Sequence, residues 1–127
     1  MSNLILIGAG DVGKFIAYHL DIFKDKYKVV GILDDNQNLI NKKIADTKII
    51  GTTAILNSLP SSTYVLVAIA NPLSKETILE RIYKYQFPFP NLIAKNSWIS
   101  PTVKLGKGII IYPGVSINYD TIIENHV

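Results

Sequence analysis

The first part of the chain alternates apolar runs with amphipathic segments. Residues 3–7 form a continuous apolar run that ends in a glycine, and residues 11–23 carry apolar side chains at intervals of three and four. The first pattern is typical of a strand that is buried on both faces of a parallel sheet, and the second of one face of a helix. The chain is therefore predicted to begin with the strand-helix unit from which parallel α/β sheets are built.

The same alternation continues to about residue 93. Further strands are predicted over residues 27–33, 48–50 and 64–70, and further helices over residues 53–59 and 73–85. Residues 87–93 contain two prolines, which restrict them to an edge strand or an extended connector. Residues 1–93 are therefore predicted to form a Rossmann-like α/β domain with an open parallel sheet.

From residue 99 onwards the spacing of the apolar residues changes to six. Two series interleave at this spacing: Ile99, Leu105, Ile111, Ile117 and Ile123, and Val103, Ile109, Val115, Thr121 and Val127. Neither a helix nor a simple strand has this period, whereas short strands and turns that coil and stack on one another do. Residues 94–127 are therefore predicted to be the start of a hexapeptide-repeat β-helix.

The last coil of this repeat is expected to be incomplete. One coil cannot bury its own apolar face, so a β-helix needs several coils and a terminal cap. The series stops at Val127 within a hexapeptide. We expect the chain to be an N-terminal piece of a longer protein, with self-association or fraying at its exposed last coil.

Composition and charge narrow the class of protein. With 48% hydrophobic and 18% charged residues the chain can bury a core, and it shows neither a membrane-length apolar run nor a signal peptide. A cytoplasmic protein without a membrane partner is expected. The absence of cysteine excludes disulfides and thiolate chemistry, and no metal site is predicted. The net charge of +3 is dispersed, which argues against nucleic acid as a partner.

A glycine-rich loop lies between the first predicted strand and helix. Gly8, Gly10 and Gly13 satisfy the pattern G-x-G-x-x-G, with Asp11 and Val12 between the last two glycines. The first glycine permits a tight turn, the second lets a phosphate approach the backbone, and the third lets strand and helix pack closely. Asp11 is expected to cap the helix through an amide two or three residues further on. The loop predicts an anion site at a helix N-terminus.

A pair of carboxylates follows the second predicted strand. Asp34 lies 21 residues after Gly13 and is followed by Asp35. A carboxylate at this place can accept hydrogen bonds from ribose hydroxyls, so loop and carboxylates together predict a nucleotide site. A structural turn with nothing bound, and a solvated strand end, are the alternatives. A dehydrogenase would share the fingerprint, but a β-helix follows in place of a catalytic domain.

The order of the motifs resembles one bacterial family, the sugar-nucleotide acetyltransferases. Its members include UDP-4-amino-sugar N-acetyltransferases, GDP-perosamine N-acetyltransferases and sialic acid O-acetyltransferases. The resemblance rests on residues 8–14 (GAGDVGK), 31–35 (GILDD), 67–72 (VAIANP) and 91–118, which run from NLIAKNSWIS to PGVSIN. It covers the whole chain.

The resemblance implies a sheet that holds a nucleotide-linked sugar, most simply a UDP-sugar, and a left-handed β-helix that forms a homotrimer and binds acetyl-CoA between subunits. It implies the following contacts with the nucleotide sugar: Gly10, Asp11 and Val12 with the diphosphate, Asp34 and Asp35 with the ribose or the base, and Ala70 and Asn71 with the base. The histidine that acts as general base in such enzymes would fall beyond Val127. These residues alone are therefore expected to bind substrate without turnover.

Four other side chains are assigned structural places. His126 is expected at a solvent-facing corner and His19 on the surface or in packing, while Trp98 and Tyr112 are expected to seal the contact between sheet and β-helix. Two other functions stay open. One is a non-catalytic nucleotide-sensing and oligomerisation module, and the other is part of an NAD-binding reductase.

Overall fold

The computed structural model describes residues 1–127. Its main sheet has five strands in the order β3-β4-β2-β1-β5. The strands are β1 (Ser2–Ile7), β2 (Tyr27–Leu33), β3 (Lys43–Ile44), β4 (Thr47–Gly51) and β5 (Tyr64–Val67). All neighbours are parallel except β3 and β4. The predicted α/β class with a parallel sheet is confirmed.

The central strand β1 is buried on both faces. Leu4 and Leu6 belong to one apolar cluster and Ile5 and Ile7 to another, so alternate side chains enter the two cores of the sheet. The apolar run in the sequence is thus explained, as predicted, by a strand that is buried on both faces of the sheet. One helix covers each cluster, since Ile16 joins the first and Ile78 the second.

Helix α1 (Asp11–Tyr18) is shorter than the predicted segment of residues 11–23. The N–H of His19 is shared between the carbonyls of the third and fourth preceding residues, and a 3₁₀ turn at Leu20–Ile22 follows. This tighter geometry brings Phe23 fully into the core. Helix α2 (Pro72–Ile82) ends in a similar 3₁₀ turn.

Two short elements differ from the prediction. The β3–β4 hairpin turns at Ala45 and Asp46, which both have positive φ, and this pair lacks the glycine that usually signals such a turn. The segment predicted as a helix over residues 53–59 is a 3₁₀ helix at Thr53–Ser58. In addition, the strand that was predicted over residues 64–70 is shorter than expected, since it ends at Val67.

Residues 92–127, here called the repeat region, form six strands of two residues each. They are β6 (Leu92–Ile93), β7 (Trp98–Ile99), β8 (Lys104–Leu105), β9 (Ile110–Ile111), β10 (Ser116–Ile117) and β11 (Ile122–Ile123). They pair in parallel as β6–β9, β7–β10 and β8–β11, always with a residue 18 positions away. The six-residue apolar period therefore places one strand in each hexapeptide, and it starts at Ile93, one hexapeptide earlier than predicted.

The backbone of the repeat region has the same period. Left-handed φ angles occur at every sixth residue: Gly108, Gly114, Asp120 and His126. Side chains bind the stacked turns across 18 residues, since Asn96 Oδ1 accepts from the N–H of Gly114 (3.2 Å) and Thr102 Oγ1 from that of Asp120 (2.8 Å). The turns between the strands and the pairing of the strands thus both follow the six-residue period.

Several contacts join the repeat region to the sheet region, residues 1–91. Phe23 forms an antiparallel bridge with Ala94, and the ring of Tyr112 lies 4.8 Å from that of Phe15 on α1. Tyr112 therefore packs between the two regions. The same expectation for Trp98 is wrong, because its side chain is 55% exposed.

His126 corrects another expectation. It is buried rather than solvent-facing, and its Nε2 lies 3.0 Å from the Tyr83 hydroxyl, while its ring packs edge-on against Phe89. The left-handed backbone turns the ring towards Gly108, where a Cβ would overlap it. Because Gly108 has no side chain, there is space for the ring at this position.

No helix in this chain is long and apolar enough to traverse a lipid bilayer.

Candidate functional site

A cleft of about 490 Å³ opens at the carboxyl ends of β1, β2 and β5. This edge is where open parallel α/β sheets bind ligands, because the loops and helix N-termini converge there. Seven of the nine predicted site residues line the cleft: Gly8, Gly10, Asp11, Val12, Asp34, Asp35 and Ala70. The structure therefore brings together groups that lie more than 60 residues apart in the sequence.

The three glycines of the loop have different surroundings. Gly8 has a φ of 116°, and a Cβ there would lie 2.5 Å from the carbonyl oxygen of Ala68. A Cβ on Gly13 would overlap the carbonyl oxygen of Gly8, so this third glycine serves strand-helix packing and does not line the cleft. A Cβ on Gly10 would meet nothing within 4 Å, so the space beside its Cα is open. The middle glycine is the one that leaves room for a ligand.

Asp11 does not cap α1 as predicted. Gly10 occupies the N-cap position without any side-chain hydrogen bond, and Asp11 is the first helical residue. A carboxylate caps a helix from the residue before the first turn, where the extended backbone aims it at the free amides. Asp11 is instead exposed in the first turn, where its charge interacts favourably with the helix dipole. The amides at the start of α1 are therefore left to a ligand or to water.

Asp34 fixes the glycine loop to the end of β2. Its Oδ2 accepts from the N–H of Ala9 (2.9 Å), and its Oδ1 accepts from the N–H of Asn36 (2.8 Å). The loop is thus held in shape by one of the residues predicted to bind ribose. A carboxylate has about four acceptor sites, so both oxygens can still accept from a ligand.

Asp35 is held by two partners that the sequence did not reveal. Its Oδ1 accepts from the N–H (3.0 Å) and the hydroxyl (3.1 Å) of Thr53, and its Oδ2 forms an ion pair of 2.6 Å with Arg81. Burial alone would raise the pKa of Asp35, but the hydrogen bonds from Thr53 and Arg81 outweigh it and hold that pKa below its usual range. Arg81 lies in the last turn of α2, 46 residues further along the chain. In the sequence, its position relative to the apolar residues of α2 shows only that it lies on the polar face of that helix.

Asn71 lies outside the cleft wall. Its side-chain oxygen accepts from the N–H of Ser74 (3.0 Å), and Pro72 follows at the first helical position, so Asn71 is the N-cap of α2. The residues of α2 that do face the cleft are Ser74 and Ile78. Neither was predicted, since helix periodicity alone does not say which turn meets a site.

A second cavity, the junction cavity, lies between the sheet region and the repeat region. It has a volume of about 470 Å³ and shares Val12, Ile69 and Ala70 with the cleft. Lys75 and His126 also line it. Burial lowers the pKa of Lys75, and burial, with the nearby charges of Lys75 and Lys107, lowers that of His126. The two cavities thus adjoin, and the end of the cleft away from the junction cavity is the end that holds Asp35.

Most of the chain matches a known protein family. Residues 3–82 match the family model described as the PglD N-terminal domain. The chain belongs to this family. The matched residues contain the glycine loop, both carboxylates and all of α2, so every residue that lines the cleft lies within the PglD N-terminal domain.

Solved sugar acetyltransferases have a similar fold. A mutant perosamine N-acetyltransferase from Caulobacter crescentus, in complex with CoA and GDP-perosamine, superimposes with a TM-score of 0.84 at 22% identity and covers 99% of this chain. The acetyltransferase domain of PglB from Neisseria gonorrhoeae FA1090, in complex with acetyl coenzyme A, gives 0.83 at 26% identity over 98% of this chain. In both comparisons the chain spans 59% of the other protein.

A curated relative matches only locally. The redox-sensing transcriptional repressor Rex of Thermosipho africanus (strain TCF52B) is 40% identical over 42 residues, which are 33% of this chain and 20% of Rex. So short a match shows a shared segment and not a shared architecture.

Proposed function

We propose that the cleft binds the nucleotide of a nucleotide-linked sugar, and that the chain is part of an acetyl-CoA-dependent acetyltransferase that modifies an amino or hydroxyl group of that sugar. The observation that carries the proposal is the open backbone of Gly10 at the uncapped start of α1, which faces a cleft of about 490 Å³. Free amides at a helix N-terminus bind phosphate groups. The family supports the choice of ligand.

The two adjoining cavities suggest how the ligand lies. The diphosphate would meet Gly10, Asp11 and Val12, and the sugar would extend past Val12 into the junction cavity. The ribose would then lie against Asp34 and the base at the Asp35 end, near Thr53 and Ile78, whereas Ala70, which was predicted to contact the base, lies at the end that adjoins the junction cavity. In this arrangement the acceptor group of the sugar faces the repeat region, where an acyl donor could approach it.

The repeat region would supply the second half of the site. We propose a boundary near residue 93 and a left-handed β-helix after it, supported by the 18-residue parallel register and by one left-handed backbone residue in each hexapeptide. Its homotrimer would bind acetyl-CoA between subunits. The acceptor amine or hydroxyl would lose a proton to a general base as it attacks the thioester carbon, and CoA thiolate would leave.

His126 does not suit the role of this base. Its Nε2 is engaged by Tyr83 and its Nδ1 is buried without a partner. We therefore expect residues 1–127 to bind nucleotide sugar without transferring an acyl group. Product formed well above background from acetyl-CoA and a UDP-amino sugar would contradict this expectation.

A binding experiment tests the proposal. Calorimetric titrations with UDP, GDP, CMP and NADH are expected to show binding of at least one of the first three. Gly10→Val is expected to abolish it, because the extended backbone at this position (φ −84°, ψ −157°) accepts a β-branched residue while the side chain blocks the phosphate. Ser62→Val, an exposed turn position outside the cleft, is the matched control. Binding that survives Gly10→Val would refute the site.

The match to Rex favours a second candidate, a module that senses a dinucleotide while the repeat region only forms oligomers. The same loop geometry would serve the diphosphate of NADH. Affinity for NADH with none for the other three nucleotides would establish this candidate in place of the acetyltransferase.

A further inference from the structure

The end of the cleft away from the junction cavity is closed by an ion pair. Asp35 and Thr53 line both the cleft and a neighbouring depression of about 410 Å³, and Arg81 reaches Asp35 from the side of that depression. The Nη1 of Arg81 also donates to the Thr53 hydroxyl (3.3 Å). The side chains of Asp35 after β2, Thr53 at the start of the 3₁₀ helix after β4, and Arg81 on α2 thus form one hydrogen-bonded wall.

This wall is where the base of a bound nucleotide would lie. The inference rests on the proposed function: if the sugar enters the junction cavity past Val12, the base occupies the opposite end of the cleft. Ile78 lines that end as well and offers an apolar surface to the face of the base. The edge of the base then meets Asp35 and Thr53, while Arg81 lies behind them on the side of the depression.

The hydrogen bonds inside the wall decide what it can offer to a base. Both oxygens of Asp35 are engaged, Oδ1 twice by Thr53 and Oδ2 by the charged Arg81. The guanidinium has five N–H donors, and only Nη1 is engaged here. Oδ1 is therefore filled, while Oδ2 keeps one acceptor place, so the wall offers a base one acceptor and not an adjacent pair.

Nucleobases differ in what they need at this edge. Guanine presents two adjacent N–H donors, which a free carboxylate accepts as a pair, and leaving buried donors unpaired is costly. Uracil presents only one N–H, between two carbonyl oxygens. A wall with one free acceptor place fits the single N–H of uracil and leaves one of the two guanine donors without an acceptor.

We propose that Arg81 sets the base preference of the cleft: by engaging Asp35 it directs the site to uracil nucleotides and excludes guanine nucleotides. Arg81 acts through Asp35 as a positioning residue. Its removal frees Oδ2, so the site gains a second acceptor place for guanine.

The test compares the ratio of the UDP and GDP dissociation constants in three proteins. The unmodified chain is expected to bind UDP several times more tightly than GDP, and Arg81→Met is expected to remove most of that preference; the effect is severalfold because the side chains of Arg81 and Asp35 are 50% and 39% exposed. Lys84→Met removes one positive charge from the same depression without a contact to Asp35, and it should leave the ratio unchanged. Arg81→Lys, which retains the charge without the planar fork, should give an intermediate ratio.

The outcomes separate the two proposals. An equal loss of affinity for both nucleotides in Arg81→Met means that Arg81 only supports the fold. An unchanged ratio, or a preference of the unmodified chain for GDP, also overturns the inference. None of these results contradicts the nucleotide site itself. If the unmodified chain binds neither nucleotide, the proposed function fails as well. Should Arg81→Met not fold, as judged by its thermal unfolding, the ratio in Arg81→Lys decides the inference.

Discussion

The sheet region and the repeat region obtain their stability in different ways. The sheet has an apolar cluster on each face, one with ten buried residues of the sheet region and one with nine, and Leu92 and Ala94 of the repeat region join the first. The repeat region has a single cluster of three, with other apolar side chains only partly buried around it. The sheet region therefore has a core of its own, whereas the repeat region depends on contacts between coils and on the sheet region beside it.

The difference bears on the site. The cleft lies in the region with its own core, where strand ends and helix starts are fixed by long-range pairing. The junction cavity lies between the two regions, and its shape depends on contacts such as the Tyr112–Phe15 stack. A change in the repeat region should thus affect the junction cavity before it affects the cleft.

The largest effect is expected for Gly13→Ala. The new Cβ would overlap the carbonyl oxygen of Gly8, and neither backbone can move without separating α1 from β1. We expect a loss of about 3 kcal/mol or more in the free energy of unfolding, measured by chemical denaturation. Gly10→Ala, which adds the same methyl group in open space, is the control and should cost less than about 1 kcal/mol. Equal losses would contradict this account of the loop.

A pair of cavity-creating variants compares the two regions directly. Leu66→Ala in the sheet region should lower the free energy of unfolding by about 3–4 kcal/mol, and Ile117→Ala in the repeat region by about 1–2 kcal/mol, because fewer buried neighbours surround the second site. Amide hydrogen exchange should show loss of protection throughout the chain in the first variant and only in the repeat region in the second. Protection lost throughout in both would show that the regions unfold as one unit.

Tyr112→Ala tests the contact between the regions. Removing a tilted aromatic pair should cost about 1 kcal/mol and speed exchange in the repeat region, while the sheet region keeps its protection. Trp98→Ala is the matched control, because its exposed ring makes no aromatic contact and should cost little. A larger loss in the control would mean that the regions are joined differently.

The smallest effect is a pH dependence that arises at His126. The pKa of this histidine is lowered in the folded chain, so the unfolded chain binds the proton more readily. Stability is therefore complete above the unfolded pKa of about 6.5, falls as the pH drops below it, and levels off below the folded pKa. The groups that face the ring are the charged Lys75 and Lys107 and the hydroxyl of Tyr83.

His126→Asn should flatten this dependence between about pH 7 and pH 5, measured as the midpoint of thermal unfolding. Asparagine tolerates the left-handed backbone (φ 63°), so the corner itself is retained. Tyr83→Phe should lower stability at every pH and leave the slope in place. A slope that persists in His126→Asn would assign it to another group.

Periodicity in the sequence was sufficient for the architecture. The strand over residues 27–33 and the six-residue spacing of the repeat region were predicted correctly, because both depend on which positions are buried. The position of the glycine loop was also predicted correctly, because the turn needs Gly8 and the close packing of strand and helix needs Gly13. Asp34 was found by its spacing, although its bond to Ala9 was not.

What the sequence did not predict depends on contacts between distant residues. The pairing of Arg81 with Asp35 joins two strand-helix units and has no local signal. Asp11 was assigned to the cap because its residue type favours it, but the helix starts one residue earlier than that role requires. His126 has a polar side chain typical of corners, yet the space beside Gly108 buries it.

The most direct test of the nucleotide site is a nitrogen–proton correlation spectrum recorded during titration with a UDP-sugar. The account predicts saturable shifts of the amides at Gly10, Asp11 and Val12, accompanied by Asp35 and Thr53, with no comparable shifts at β11. The pattern should disappear in Gly10→Val. Saturable binding that shifts none of the loop amides, or no binding at millimolar ligand, would contradict the claim that the loop holds a nucleotide diphosphate.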